Sequence, residues 1–395
     1  MTRRSAIIVG AGIGGLATAC ALSRTGWSVT VYEKAAALKE VGAGLSMAPN
    51  AVRAMDWLGL GERMRAKAQG QGIGVKTRSG HWLVRLAGTD LVERFGNAMY
   101  AMHRADLYQM LFETARATCA VHTGHSVVSV EPDSGSVILR GVDGPVVASA
   151  DLIVAADGVH SPLRSMLYPS HPGAAYAGYV CWRGIAPAVF AGQLADPPVW
   201  TDSWGRGVRF GSAQLADGRV FWYGSVAGPE GAFAADTLDD VGRRFGDWHA
   251  PIPQLIASSR LSTLLRNDIY FVREPVPSFV AGRTVLLGDA AHAVTPDIGQ
   301  GACLAIEDAV VLAVTTAERH DLTAGLAEYD RVRRPRTQKL ARISGKSARV
   351  QQASHPISAT LRDLAVFLMP RNAYLSAADE ALGWRPPDLA AAQPL

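Results

Sequence analysis

Cysteine is scarce. Cys20, Cys119, Cys181 and Cys303 are scattered through 395 residues and form no Cys-x-x-Cys pair. That excludes a disulfide framework and a thiolate zinc site, and it fits a reducing, cytoplasmic setting with no metal. Long apolar runs are also missing. None reaches the roughly 18 residues that a membrane helix needs, so no membrane partner is expected. Arg3-Arg4 stands before an apolar run in the manner of an export signal, but that run reads better as a first strand. No charge sign dominates: 39 Lys and Arg face 35 Asp and Glu, a formal charge of +4, which is small for this length. The one basic cluster, 331–336, has no interleaved aromatic residue. It reads as a solvated helix face, with no nucleic-acid partner. No internal repeat is present. With 48% apolar and 19% charged residues, the chain is a globular protein long enough for two domains.

Glycine, by contrast, is abundant, and its placement is informative. The apolar run 6–9 leads straight into Gly10-x-Gly12-x-x-Gly15, with Gly14 between. A helical stretch over 16–25 ends at Gly26, and a second apolar run, 29–32, ends in Glu33-Lys34. Strand, glycine turn, helix, strand and acid fill one βαβ unit. Gly10 permits the tight turn, Gly12 lets a pyrophosphate approach the backbone, and Gly15 brings the helix against the sheet. The helix start then offers N–H groups and a positive dipole end to phosphates, and Glu33 is placed to accept from a ribose hydroxyl. This predicts dinucleotide binding.

Farther along, 41–50 is a glycine-rich loop feeding a helix over 51–58. Gly44, with small neighbours such as Ser46, either lets the backbone pass a flat ligand or simply starts that helix. Ser79-Gly80 marks a hairpin between strands 74–78 and 81–86. Arg104 opens an amphipathic helix, where a cation is electrostatically odd. A nearby anion would explain it, as would plain exposure. Short strands fill 126–130, 136–140, 146–150 and 152–155. The last ends at Asp157-Gly158, a carboxylate at the carboxyl edge of a sheet, where α/β folds bind ligands. Over 172–275 helical periodicity fades and alternating aromatic runs predict an inserted antiparallel sheet. There Trp182, Phe210, Phe221 and Tyr223 either line an aromatic pocket or pack a core. The α/β pattern returns at Gly288-Asp289. Pro296 and Gly299-Gln300-Gly301 follow, and a helix starts at about Ala302. A long helix runs from 322 past 350, with Pro335 inside it as a candidate kink. The last 25 residues, rich in Ala and Pro, are expected to be loosely held.

Three motifs in order, Gly10 to Gly15 with Glu33, Asp157-Gly158, and Gly288-Asp289 with Pro296 and Gly299 to Gly301, resemble the single-component FAD-dependent aromatic hydroxylases. These are flavoprotein monooxygenases related to p-hydroxybenzoate, salicylate and urate hydroxylases, and the resemblance spans about residues 5–350. It implies an α/β fold with a Rossmann-like FAD-binding domain, an inserted antiparallel-sheet substrate domain and a long C-terminal helix. The expected division gives the cofactor domain 1–72, 101–171 and 276–350, and the substrate side 73–100 and 172–275, with a tail at 351–395.

By the same resemblance Gly10, Gly12, Gly14 and Gly15 hold the FAD pyrophosphate, and Glu33 with Lys34 the adenosine ribose. Arg104 meets the phosphate or ribityl region, and Val128 touches adenine through its backbone. Asp157 serves FAD and NAD(P)H, and Asp289 the ribityl hydroxyls. Pro296, Gly299, Gly301 and Ala302 lie beside the isoalloxazine, which the loop Gly42 to Ser46, with Gly44, flanks. Arg209 aligns loosely with a substrate-anchoring arginine, so Arg209, Phe221 and Tyr223 are candidate substrate residues. The sequence departs from the family only at Ala155, where Gly is common.

The implied reaction reduces FAD with NADH or NADPH, and a flavin C4a-hydroperoxide then hydroxylates an aromatic or polycyclic substrate with molecular oxygen. No catalytic base is assigned, and His292 reads as structural. The protein is a monomer or homodimer. Alternatives on the same scaffold are an oxidase or dehydrogenase without oxygen insertion, and an epoxidase or Baeyer–Villiger oxygenase of a natural product. A flavin halogenase is disfavoured because its Trp-x-Trp-x-Ile-Pro signature is absent. A non-catalytic dinucleotide-binding regulator would leave three flavin motifs unexplained.

Overall fold

The first apolar run becomes the strand Ser5–Val9, whose last four residues are buried. It pairs in parallel with Ser28–Tyr32 on one side and Leu152–Ala155 on the other. A strand covered on both faces must be apolar without alternation, which is the pattern seen. The computed structural model describes residues 3–38, 43–141, 144–194, 196–317 and 321–387. In it the fold is α/β. The first sheet has six strands in the order Val280–Ala281, Thr284–Leu286, Leu152–Ala155, Ser5–Val9, Ser28–Tyr32, Ala120–His122. All pairings are parallel except that of Val280–Ala281. The helix Ile13–Arg24 crosses between the first two strands and packs on Gly301–Ala317. A small antiparallel sheet, Ser126–Glu131, Ser136–Gly141 and Gly144–Ser149, stands beside it.

The second large sheet contains the segment expected to be inserted. Its order is Leu265–Phe271, Ala175–Ala186, Val220–Ala227, Val208–Gln214, Val199–Trp204, Ala68–Thr77, Met99–His103, Gly44–Met47, with Trp82–Leu86 paired to Ala68–Thr77. Antiparallel pairing holds within 175–271, but Val199–Trp204 joins Ala68–Thr77 in parallel. Gly44–Met47, expected as loop, is an edge strand paired with Met99–His103. Gly42 lies outside the described residues.

Side chains alternate across this sheet. Val180, Trp182, Phe210, Val220 and Trp222 point to one face and form a buried cluster with Phe245, Trp248, Leu255 and Ile256. So Trp182 and Phe210 are core, and Phe210 stacks on Trp222 at 5.5 Å. The opposite face carries Arg209, Phe221 and Tyr223. The cover comes from two helices that the aromatic pattern concealed, Leu238–Phe245 and Ile252–Ala257. Their signal was local: Thr237 and Asp240 form a capping box, and Leu238, Val241 and Phe245 recur at helical spacing.

The helix Leu322–Gln351 runs through Pro335. Its inner face, at Tyr329, Arg333, Thr337 and Leu340, is buried. That corrects the expectation of a solvated basic cluster: Arg331 is exposed, but Arg333 one half-turn on is fully buried. Arg333 donates from Nη1 to Glu307 at 2.7 Å and from Nε to Asp308 at 2.6 Å. Arg336 adds two 2.8 Å bonds to Glu307. Asp308 also accepts from the Gly288 N–H at 3.0 Å and meets His292 Nε2 at 2.6 Å, so His292 is structural. The tail is not loose as far as it is described. Pro356–Leu368 and Arg371–Leu382 are helices, Leu375 and Leu382 join the main core, and Arg53 Nε donates to the Trp384 carbonyl at 2.7 Å. Residues 388–395 lie outside the described region. Among the described residues no helix is long and apolar enough to cross a membrane.

Burial alone would raise Asp308, but the charges and hydrogen bonds of His292 and Arg333 outweigh it and hold the carboxyl at about 2. A depressed carboxyl stabilises the native state above its unfolded pKa, and that stability is lost as pH falls through the folded value. The native protein should therefore lose stability from about pH 4 toward pH 2, a trend measurable by urea midpoints. Asp308→Asn should cost about 3–5 kcal/mol by removing one of the two carboxylates that balance the buried Arg333 and Arg336 charges and should flatten that acid slope. Parallel slopes for the two proteins would refute the assignment.

Candidate active site

The site begins where three backbone segments nearly touch. Gly10 has φ +106°, and a Cβ there would lie 2.3 Å from the Ala156 carbonyl oxygen. A Cβ on Gly15 would lie 1.9 Å from the Gly10 carbonyl oxygen. Gly12 is different. It is the N-cap of Ile13–Arg24, makes no side-chain cap, and has nothing within 4 Å of its Cβ direction. The first helical N–H groups are therefore not met by a side chain. Gly12, Ile13 and Gly14 border a cavity of about 1400 Å³, larger than the roughly 300–1,000 Å³ of a pocket for one drug-sized ligand.

Glu33 stands at the end of the second strand. Its Oε2 accepts from the Ala11 N–H at 2.8 Å and its Oε1 from the Ala35 N–H at 2.9 Å. Lys34 is exposed. Val128 does not line the cavity. It sits on a bulge between Val127 and Ser129 that takes its backbone out of the ladder. Asp157 is turned away from the cavity that its neighbours Ala156 and Gly158 line. Ser161 Oγ donates to its Oδ1 at 2.5 Å and the Leu163 N–H to its Oδ2 at 3.0 Å, so it organises the strand-to-helix turn. Burial pushes its carboxyl up.

The middle of the cavity is bordered by Arg104 and Asp289. The Arg104 N–H donates to the Ala43 carbonyl at 2.9 Å, and the helix start is capped by His103 Nδ1. Asp289 follows Gly288, at φ +61°, and its side chain is exposed and faces the cavity. Desolvation by the surrounding cavity walls pushes its carboxyl up, against the pull of His292 and Arg104. Asp289 is one anion within electrostatic reach of Arg104.

At the far end two glycine segments meet. Ser46 Oγ donates to the Gly299 carbonyl at 3.3 Å, and Gly299, at φ +63°, leaves room for that hydroxyl. Gly44 lies against Phe221, where a Cβ would come within 2.4 Å of the ring. Pro296, Gly299, Gly301 and Ala302 line the same space, so a second helix start opens on the cavity. Above them the sheet face presents Trp200, Phe221 and Tyr223, with ring centroids 5.7–6.4 Å apart.

Arg209 is there too, but its donors are engaged by the protein. Nη2 lies 2.8 Å from Asp202 Oδ2 and donates to the Tyr223 hydroxyl at 3.1 Å, while Nε reaches Asp202 Oδ1 at 3.3 Å. Nη1 donates to Asp297 Oδ1 at 2.6 Å and to Gln351 Oε1. Four of its hydrogen bonds thus go to its own chain, with an ion pair to Asp202 besides, so the guanidinium expected as a substrate anchor is largely engaged within the protein. Asp297 Oδ2 accepts the Tyr179 hydroxyl at 2.7 Å. Burial raises the phenols of Tyr179 and Tyr223, which keeps them as neutral donors.

Sequence reasoning missed Tyr179, Trp200, Asp202, Asp297 and Gln351. Trp200, Asp202 and Trp204 alternate along one strand, a signal that was present. Tyr374 and Ala378 of the last helix also line the cavity, and nothing in their spacing announces it.

The family described as FAD binding domain matches residues 3–192 and 272–344. An aurachin C monooxygenase/isomerase of Stigmatella aurantiaca is 35% identical over 370 residues, 93% of this chain and 95% of that protein. An FAD-dependent urate hydroxylase of Klebsiella pneumoniae is 39% identical over 340 residues, 85% and 87% of the two chains. The crystal structure of Klebsiella pneumoniae HpxO complexed with FAD and uric acid superposes with a TM-score of 0.86 at 34% identity, covering 96% of each chain.

The two glycines should separate in the ligand-free protein. Gly15→Ala meets backbone on both sides and should lower the thermal midpoint by several degrees, whereas Gly12→Ala, with open space, should leave it within about 1 °C. Equal shifts in a melting experiment would contradict this geometry.

Proposed function

The chain belongs to the FAD-binding-domain family and is an FAD-dependent monooxygenase, and on that premise we propose that it takes electrons from NADH or NADPH and inserts one atom of molecular oxygen into a small aromatic substrate. One observation carries this: a single cavity runs from the uncapped helix start at Gly12, past Asp289 and Arg104, to an aromatic wall of Trp200, Phe221 and Tyr223. That sequence of donors, acid, cation and flat apolar face fits a dinucleotide with a ring system at one end.

In this assignment Gly10, Gly12, Gly14 and Gly15 cradle the pyrophosphate, with Glu33, Lys34 and Val128 toward the adenosine. Arg104 and Asp289 serve the linking region. Gly44, Ser46, Pro296, Gly299, Gly301 and Ala302 flank the isoalloxazine. Asp157 acts at one remove, by fixing the turn that carries Gly158. When bound, FAD supplies the electron transfer and oxygen activation that no side chain here can supply. The chain does the rest. The helix start at Gly301 places N–H groups where negative charge on the ring system is stabilised. The sheet face stacks the substrate ring, and the Tyr223 hydroxyl, already accepting from Arg209, keeps its own proton to donate to the substrate. Tyr374 and Ala378 close the side and limit water. One oxygen atom ends in the product, and the other leaves as water with the two electrons of NAD(P)H.

Purified protein should carry FAD, and Gly12→Ala should lose most of it on gel filtration while keeping its fold. Adding the right aromatic should speed NAD(P)H oxidation at least tenfold, and ¹⁸O₂ should add one labelled atom to the product. FAD-containing protein that turns over an aromatic without incorporating label would replace oxygen insertion with an oxidase or dehydrogenase reaction.

A further inference from the structure

The polar end of the aromatic compartment has the wrong charge for an acid. Its centre is one guanidinium between two carboxylates, Asp202 and Asp297, which leaves a net charge of −1. Arg209 already makes four hydrogen bonds to the chain and an ion pair with Asp202. Asp297 is fully enclosed and accepts from both Arg209 and Tyr179. Asp202 is not fully enclosed. Its side chain keeps 13% of its surface and it lines the cavity; its Oδ2 accepts from Trp204 Nε1 at 3.0 Å, while its Oδ1 accepts only the long 3.3 Å bond from Arg209 Nε. Tyr374, from the last helix, lies within electrostatic reach of the same carboxylate.

The other charged groups lining the cavity do not reverse this balance. Arg266 is paired with Asp268 at 2.7 Å, and Arg104 sits by Asp289 at the cofactor end. Arg183 lies across from Tyr223 on the neighbouring strand and donates to Asn267 Oδ1 at 2.8 Å, toward the outer strand of the sheet. Burial raises the Asp202 carboxyl while Arg209 holds it down. Were Asp202 protonated, the cluster would become neutral; in neither state is it cationic.

An anionic ring group placed here would lose its hydration beside Asp202 and Asp297, and the one nearby lining cation without a carboxylate partner, Arg183, is held toward Asn267 instead. A neutral N–H or O–H would find the open acceptor of Asp202 and the donor of Tyr223. We infer that the substrate is an uncharged or protonated aromatic presenting a hydrogen-bond donor to Asp202, and that the chain selects against aromatic carboxylates and other anionic rings at this end. This rests on the proposed function and narrows its substrate class.

Acid and amide isosteres test it, because they match in size and differ in charge. FAD-loaded protein is titrated with 4-hydroxybenzamide against 4-hydroxybenzoate and with 3-hydroxybenzamide against 3-hydroxybenzoate. Binding is read from the visible difference spectrum of the flavin. The amides should bind roughly tenfold or more tighter, and Asp202→Asn should shrink that preference at least threefold. Asp297→Asn is a second probe of the same charge, and the wild-type comparison stands without either variant. Acids binding as tightly as amides would overturn the inference. So would an unchanged preference in a folded Asp202→Asn protein, or tight acid binding abolished by Arg183→Gln. Failure of the underlying function reading looks different: the bound aromatic would be turned over without label from ¹⁸O₂, whichever isostere binds more tightly.

Discussion

The cavity depends on how closely unsubstituted backbone can pack at its narrow end. Gly15 lets the helix Ile13–Arg24 rest on the Gly10 carbonyl, and Gly10 lets that turn rest on Ala156. A single Cβ at either position would push the helix off the sheet. Because the helix is held there, its start at Gly12 faces open space, and the strand ends at Val9, Ala155 and Leu286 finish side by side. The crevice at the carboxyl end of a parallel sheet follows from that alignment.

Two buried ionic clusters flank the cavity, and they differ in kind. The one around Arg333 and Arg336 balances two guanidinium groups with Glu307 and Asp308, is shut off from solvent at its centre, and reaches the Gly288 N–H. It holds the turn that carries Asp289, and through Asn50, which bonds both Glu307 and Gln300, it also reaches the Gly299–Gly301 segment. The one around Arg209 is unbalanced and opens on the cavity through Asp202. Removing two charges from water is costly, and closure plus balance is the usual compensation. An unbalanced cluster facing a cavity fits a place where a ligand completes the polar contacts.

Much of the fold was legible because backbone constraints leave short signatures. The glycine spacing at 10–15, the strand ends at Asp157 and Asp289, and the glycines at 299 and 301 all carry their geometry in a few adjacent residues. The aromatic wall was half legible: alternation marked Phe221 and Tyr223, but only the sheet decides which face each residue takes. The partners of Arg209 could not be read. Asp202, Tyr223, Asp297 and Gln351 come from four separate stretches, and no local rule links them. Arg333 could not be told from Arg331 by composition, since helical phase and the carboxylates of another helix bury one and expose the other. The docked last helix was missed for a related reason. Its Ala-rich sequence says little about order, and its hold comes from Arg53 and Arg336 gripping its carbonyls from afar.

The strand Val220–Ala227 shows what alternation across the second sheet makes possible. Val220, Trp222, Gly224 and Val226 belong to the packed face, and Phe221, Tyr223 and Ser225 to the cavity. Neighbouring residues in the chain thus answer to different demands, one to the density of a core and the other to the shape and polarity of a ligand. Because a sheet keeps these sets on opposite sides, a lineage can vary the odd positions and reach new chemistry without repaying the cost in stability at the even ones. Related chains could diverge in what they accept while their frames stay superposable, with the sheet acting as a partition between inheritance and innovation.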